Sequence, residues 1–244
     1  MTATSPDQKS WRSRAGRFVL LALCFFLVGS VSLVMIFRFA PVHFSGLMVQ
    51  RSIESVFDDR MPDQRRQQWV TWEAISKSMP MAVIASEDQK FLTHYGFDFD
   101  QMKKAFDVHQ RGGRLRGAST ISQQTAKNLF LWSGRSFIRK GLEAWFTLLI
   151  EVLWPKERIL EVYLNIIEFG PGIYGVEAAS QTFFHKRAKN LTRYEAALLA
   201  AVLPNPLMLK ASTPTPYLRE RQAWILRQMQ QLGGEGRLVK VLNS

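Results

Sequence analysis

Cysteine and acidic residues are scarce in this sequence, and each scarcity excludes a class of protein. The 244 residues include one cysteine, which excludes an intramolecular disulfide framework and a zinc site built from several cysteines. Acidic residues number 20 against 32 Lys and Arg, so the formal net charge is +12. Such an excess indicates an anionic partner, whether nucleic acid, phospholipid or a phosphorylated substrate.

One long segment lacks charge altogether. Residues 18–37 read FVLLALCFFLVGSVSLVMIF, which at about 1.5 Å per residue is long enough to cross a hydrocarbon core of roughly 30 Å. Four cations and one acid lie in residues 1–17, a bias that predicts a cytoplasmic N-terminus. A cleaved signal peptide is the alternative, but its apolar part is usually about 7 to 15 residues long. We therefore predict an uncleaved, single-pass transmembrane anchor.

The anchor changes the meaning of the positive charge. Residues 1–38 carry four of the twelve net charges, which leaves +8 on residues 39–244. Chromosomal DNA is not available outside the membrane, whereas anionic headgroups and lipid-linked phosphates are. The sequence therefore predicts membrane lipids and a lipid phosphate as partners, and no nucleic acid.

Helical patterns dominate the region after the anchor. Apolar residues recur at three and four spacing from Leu142 to Leu153 and again from Ile159 to Ile167. Thr192 and Glu195 form a capping box ahead of an Ala/Leu helix, and residues 218–232 read as a polar helix. No run of alternating β-branched residues occurs. We therefore predict a mainly α fold.

The composition suggests boundaries along the chain. A basic tail (1–17) and the anchor (18–37) precede a juxtamembrane connector (38–68) that contains at most one short helix. The main helical domain is predicted to span residues 69–235, followed by a tail of residues 236–244.

The first chemical cluster is an adjacent pair of carboxylates, Glu87 and Asp88. The hydrophobic residues 82–84 predict a helix that delivers both to its end. A carboxylate shielded by apolar walls can take a proton from a hydroxyl at neutral pH, so Glu87 is a candidate general base. The alternative is a surface pair with His94 as a local hydrogen-bond partner.

The second cluster follows a basic, glycine-rich loop at residues 111–116. Ser119 or Thr120 would cap the next helix. Gln123 and Lys127 then share one helix face, with Gln124 beside them, which brings neutral and cationic donors together. A capped helix with a solvated polar face is the alternative.

The third cluster opens the helix that contains Leu142. Arg139 and Glu143 have the i,i+4 spacing of an ion pair, with Lys140 next to them. Arg135 precedes the helix and could direct its planar guanidinium at an oxyanion. A purely structural pair is equally compatible with the spacing.

Together the clusters resemble the family-51 glycosyltransferase domain, the peptidoglycan polymerase module of class A penicillin-binding proteins. The resemblance covers residues 69–206 and consists of five motifs in order with matching spacing. The matching stretches are Glu87-Asp88-x-x-Phe91-x-x-His94-x-Gly96, Gly117-x-Ser119-Thr120-x-x-Gln123-Gln124, Arg139-Lys140-x-x-Glu143, Lys156-x-x-Ile159-Leu160-Glu161-x-Tyr163-Leu164-Asn165 and Gly172-x-x-Gly175-x-x-Ala178-Ala179. Ala118 departs from the family, which commonly has Gly there. Because no Ser-x-x-Lys or Lys-Thr-Gly motif is present, the chain resembles the monofunctional biosynthetic transglycosylases, which lack a transpeptidase domain.

The resemblance implies a lysozyme-like helical catalytic domain that polymerises lipid II into β-1,4 glycan and releases undecaprenyl pyrophosphate. Glu87 would be the base, and Glu143 would be either catalytic or an organiser of the neighbouring cations. The resemblance also assigns substrate binding to residues within and between these motifs, which are Lys127, Arg135, Gln123, Gln124, Ser119, Thr120, Arg139 and Lys140. The implied location is the bacterial inner membrane, with the catalytic domain in the periplasm.

The resemblance also implies partners and cofactors. Lipid II and the growing glycan strand are the implied substrates, and cell-division or elongation proteins are candidate partners. No cofactor and no bound metal are expected to be required, although Mg²⁺ or Mn²⁺ can accompany a pyrophosphate. A lysozyme-like hydrolase and a non-enzymatic wall-binding protein are the competing hypotheses.

Overall fold

The computed structural model describes residues 6–57, 65–112, 119–134 and 136–242, which fall into two compact units, Met1–Ala40 and Pro41–Ser244. The first unit is formed by α1 (Pro6–Phe39). By length and composition, its segment Gly16–Phe39 can cross a membrane, as the sequence predicted.

The second unit is mainly helical, which confirms the predicted fold class. Its helices are α2 (Gly46–Phe57), α3 (Ser78–Glu87), α4 (Phe99–Gln110), α5 (Ile121–Phe130), α6 (Phe137–Leu153), α7 (Lys156–Ile166), α8 (Val176–Phe184), α9 (Arg193–Val202), α10 (Pro216–Gln231) and α11 (Gly234–Leu242). Its strands are β1 (Arg66–Gln67), β2 (Glu168–Gly170) and β3 (Ile173–Tyr174).

Helix α3 lies in the core of this unit. Every residue from Ser78 to Ala85 is buried, so its apolar character is not confined to one face, as expected for a helix packed on all sides. It packs against α9 and α10. Helix α9 begins at the predicted capping box of Thr192 and Glu195 and is itself buried from Ala196 to Val202. The last residue of α3, Glu87, is therefore anchored by a buried helix.

Helices α5, α6 and α7 form the other part of the core. Helix α5 packs against α2, α6 and α7. The two predicted amphipathic helices are confirmed as α6 and α7, separated at Pro155, which is the N-cap of α7. Packing on three neighbours fixes the polar residues of α5 relative to the rest of the unit.

A three-stranded sheet, in the order β1-β3-β2, was not anticipated. Strand β1 is parallel to β3, and β2 is antiparallel to it. Strands of two or three residues are too short to give the alternation that identifies a strand in sequence. After β3, Gly175 adopts a φ of +80°, and a Cβ there would lie 2.7 Å from the carbonyl oxygen of Asn165. Glycine is required at this position for both reasons.

The stretch predicted as a connector includes a helix that belongs to the second unit. Helix α2 packs on α5, and its Arg51 forms an ion pair with Glu168 of β2 at 3.4 Å. The stretch predicted as a tail, residues 236–244, lies largely within α11, where Leu238 is buried.

Candidate active site

Glu87 occupies the end of α3, where the sequence placed the candidate base. Its side chain is 15% exposed. The hydroxyl of Ser86 donates to Glu87 Oε1 at 2.9 Å, and the amide of Gln124 donates to Oε2 at 3.3 Å. Both carboxylate oxygens are therefore held, while the group keeps access to solvent.

Gln124 is oriented by a buried tyrosine. The Tyr163 hydroxyl donates to Gln124 Oε1 at 3.3 Å, so the amide nitrogen of Gln124 faces Glu87. Burial, followed by the negative charges of Glu87 and Asp88, raises the pKa of Tyr163 well above its ordinary value. The phenol stays protonated and remains a hydrogen-bond donor to Gln124.

Asp88 joins the first motif to the second. Its buried carboxylate accepts from the backbone N–H of Ile121 at 3.0 Å, at the positive end of α5, and contacts His94 Nε2 at 2.9 Å. His94 Nδ1 accepts from the backbone N–H of Gly96 at 3.1 Å, which places the ring proton on Nε2. Asp88 is thus engaged in fixing α5 beside Glu87.

The N-terminus of α5 is closed by a capping box. Thr120 accepts from the backbone N–H of Gln123 at 3.1 Å, and Gln123 accepts from that of Thr120 at 3.0 Å. Both side chains are buried, and the Thr120 hydroxyl also donates to the carbonyl of Gly96 at 2.6 Å. Ser119 is exposed. Of the predicted substrate-binding residues, Thr120 and Gln123 are committed to the fold, and Ser119 faces solvent.

Glu143 lies at the centre of a cationic cluster. Its carboxylate is 4% exposed and accepts from Arg139 Nη1 at 2.8 Å and from Lys140 Nζ. The predicted i,i+4 pair of Arg139 and Glu143 is therefore present. With both oxygens engaged by cations, Glu143 is suited to organising positive charge rather than to accepting a proton.

Lys127 adds a third cation to this cluster. Burial lowers the pKa of its ammonium group; Glu143 opposes this effect, and Arg139 and Lys140 reinforce it. A partly desolvated cation interacts strongly with an incoming anion because little water competes for it. This is a suitable environment for binding a pyrophosphate.

Helix α5 brings the base and the cations together. Gln124 contacts Glu87, and Lys127 follows three residues later, so the two side chains are neighbours at about 5–6 Å between Cβ atoms. A cavity of about 280 Å³ opens at Glu87 and is also lined by Ser86, Asp98, Ser119, Thr120 and Trp224. Helix α5 thus connects the carboxylate of Glu87, through Gln124, to the cationic cluster, through Lys127.

Other motif residues support this arrangement. Lys156 donates to both carboxylate oxygens of Glu151, at 2.9 and 2.8 Å, and to the carbonyl of His94 at 2.7 Å. Asn165 is fully buried; its Oδ1 accepts from the backbone N–H of Val70, and its Nδ2 donates to the Val70 carbonyl, both at 2.9 Å. These residues hold the motifs in place at a distance from the carboxylate of Glu87.

Arg135, Ala118 and most of the basic loop lie outside the described residues. The sequence contains one Asp-x-Asp spacing of the kind found in some metal sites, Asp98-Phe99-Asp100, although an absence of this motif was part of the expectation that no metal is bound. Asp98 caps α4 by accepting from the backbone N–H of Gln101 at 3.0 Å, and Asp100 pairs with Lys90 at 2.5 Å. Across the described ranges, no group of three or more His, Cys, Asp or Glu could hold a metal ion.

Two site residues on α10 were missed by the sequence analysis. Arg221 Nη2 lies 3.7 Å from Glu87 Oε1, and Trp224 lines the cavity. The only signal was their location in a polar helix, and nothing in that pattern indicated that the helix would pack beside Glu87.

Comparison with known proteins identifies the family of this chain. The family model described as Transglycosylase matches residues 53–230. Proteins named biosynthetic peptidoglycan transglycosylase are 55% identical in Pseudomonas fluorescens, 54% in Chromohalobacter salexigens and 57% in Shigella sonnei. The alignments cover 90, 96 and 90% of this chain and 91, 99 and 91% of the respective relatives. The chain therefore belongs to the transglycosylase family and is a peptidoglycan glycosyltransferase of cell wall synthesis.

Proposed function

We propose that this glycosyltransferase uses lipid II, polymerises it into β-1,4 glycan and releases undecaprenyl pyrophosphate. The observation that carries the proposal is the adjacency on α5 of Gln124, which contacts Glu87, and Lys127, which belongs to the Glu143 cluster. Polymerisation from a lipid pyrophosphate needs a base on one side of the reacting carbon and an anion-binding group on the other.

In the proposed reaction, Glu87 accepts the proton of the acceptor's 4-hydroxyl as that oxygen attacks the anomeric carbon of the donor. The new glycosidic C–O bond forms while the bond from the anomeric carbon to the pyrophosphate oxygen breaks. The leaving pyrophosphate takes the electron pair, and its charge is stabilised by Lys127, Arg139 and Lys140. Arg135 is proposed to join them on the strength of the family motif.

The cationic cluster favours polymerisation over hydrolysis of finished glycan. Cleaving a glycan releases a sugar hydroxyl, which needs a proton donor, whereas a pyrophosphate needs cations. Detergent-solubilised full-length protein should convert fluorescent lipid II into a polymer ladder and release one undecaprenyl pyrophosphate per linkage. Soluble muropeptides released from purified sacculi, without polymer from lipid II, would overturn the proposal.

Three further features belong to the proposal. The N-terminus is cytoplasmic, so protease added outside intact spheroplasts should digest residues 41–244, and protection would contradict this. No transpeptidase activity is present, so labelled penicillin should not acylate the chain. No metal is required, so chelation should leave polymerisation measurable, with Mg²⁺ or Mn²⁺ acting as stimulants only.

A further inference from the structure

We propose that Arg221 of α10 is a positioning residue that holds the Glu87 carboxylate for proton transfer; this inference rests on the proposed role of Glu87 as the base. Arg221 lies outside all five motifs, and α10 reaches the site by packing on α3 and α9. It is 134 residues from Glu87 in sequence.

Arg221, Ser86 and Glu87 form a triangle of contacts. Arg221 Nη2 donates to the Ser86 hydroxyl oxygen at 3.3 Å and lies 3.7 Å from Glu87 Oε1. Ser86 in turn donates to the same Oε1 at 2.9 Å. Arg221 occupies the acceptor side of Ser86, and of the two acceptors within reach of the hydroxyl, Glu87 Oε1 at 2.9 Å is closer than the carbonyl of Ala200 at 3.4 Å, so the hydroxyl hydrogen favours Glu87.

This triangle and Gln124 together hold both carboxylate oxygens of Glu87. The terminal torsion of a glutamate is broad, so a carboxylate held at one oxygen alone can rotate. With Oε1 held by Ser86 under the control of Arg221, and Oε2 held by Gln124, the carboxylate plane is fixed. Catalysis is sensitive to such orientation, since a misplacement of about 1 Å can cost about 100-fold in rate.

The remaining contacts of Arg221 argue against a merely structural role. Among the described residues, its Nε is buried and has no hydrogen-bond partner, which is unfavourable for stability and calls for an explanation. Polar contact between α10 and the end of α3 is supplied separately by Gln228, whose Oε1 accepts from Gln89 Nε2 at 3.1 Å. Gln228 therefore provides a matched control, because it joins the same elements without touching Glu87.

The test compares Arg221→Gln, Arg221→Lys and Gln228→Ala in full-length protein, using fluorescent lipid II. Arg221→Gln should lower kcat by about 10- to 100-fold with KM nearly unchanged. Arg221→Lys should recover part of that loss, because Lys keeps a cationic donor. Gln228→Ala should keep kcat within about threefold of wild type, since helix docking alone is weakened. Wild-type turnover in Arg221→Gln, or an equal loss of kcat in Gln228→Ala, would overturn the proposal.

A second arm separates this inference from the proposed function. In a Glu87→Asp background the shorter side chain withdraws the carboxylate from the triangle. Arg221→Gln should then lower kcat by a much smaller factor than it does in wild type. An equal loss in both backgrounds would show that Arg221 acts independently of Glu87 and would overturn the inference. Full activity of Glu87→Gln would instead refute Glu87 as the base, and with it the premise of the inference.

Discussion

Replacing Lys127 by Met should separate the catalytic contribution of this residue from its contribution to stability. Burial lowers the pKa of Lys127 from its ordinary 10.5, so the fold disfavours the ammonium charge that the proposed chemistry uses. Met has a similar length and helix propensity, and Glu143 keeps Arg139 and Lys140 as partners. We expect the free energy of unfolding to be unchanged or to rise by about 1 kcal/mol.

The kcat of Lys127→Met should fall even though its stability does not. Removing one group that stabilises developing negative charge typically lowers kcat by about 10²- to 10³-fold, or roughly 3–4 kcal/mol. Lys127→Met should therefore polymerise lipid II very slowly while melting at or slightly above the wild-type temperature. This combination distinguishes a functional cation from a structural one.

The stability difference should also depend on pH. A lysine whose pKa is lowered by folding destabilises the protein while it is charged, and this effect disappears as pH rises through the folded pKa towards the unfolded value. The advantage of Lys127→Met over wild type should thus be largest near neutral pH and decline at alkaline pH. Thermal melts across that range would measure it.

Lys189→Met provides the control, because Lys189 is exposed and lies outside the site. It should match wild type in rate and in stability. A Lys127→Met variant that retains a kcat within about threefold of wild type, or that unfolds several degrees earlier, would contradict a catalytic role for this cation.

Three other substitutions test the surroundings of the site. Asp88→Asn removes the carboxylate shared by His94 and the start of α5, and should cost about 2–3 kcal/mol in denaturant unfolding and lower activity as α5 shifts. Gly175→Ala should cost about 3 kcal/mol, because of its φ of +80° and the nearby Asn165 carbonyl. Glu143→Gln should destabilise by about 2 kcal/mol and lower the pKa of Lys127 further, moving the alkaline limb of the rate profile to lower pH. Unchanged stability in either of the first two, or an unmoved alkaline limb in the third, would contradict the corresponding contact.

Local patterns predicted α6, α7 and α9, but not α4, α8 or α11. The apolar spacing of α6 and α7, the break at Pro155 and the capping box at Thr192 are properties of neighbouring residues, so they can be read from the sequence directly. The short sheet was missed because strands of two or three residues carry no period. Periodicity therefore predicted helices that continue over several turns and little else.

The candidate site was likewise only partly predictable from local sequence patterns. The motifs indicated Glu87 and the cationic cluster, but not that Gln123 would be used in a helix cap while Gln124 contacts the base. Tyr163 and Arg221 reach Gln124 and Glu87 across gaps of 39 and 134 residues in the chain. Such contacts arise from the packing of α7 and α10, which no local pattern encodes.

The central claim is that Glu87 is the base of glycan polymerisation. The most direct measurement is the rate at which purified Glu87→Gln polymerises fluorescent lipid II, with the exposed Glu220→Gln on α10 as its matched control. We predict that Glu87→Gln forms no polymer ladder above background while folding and melting like wild type, and that Glu220→Gln works at the wild-type rate. Polymer formation by Glu87→Gln at a rate comparable to wild type would contradict the assignment.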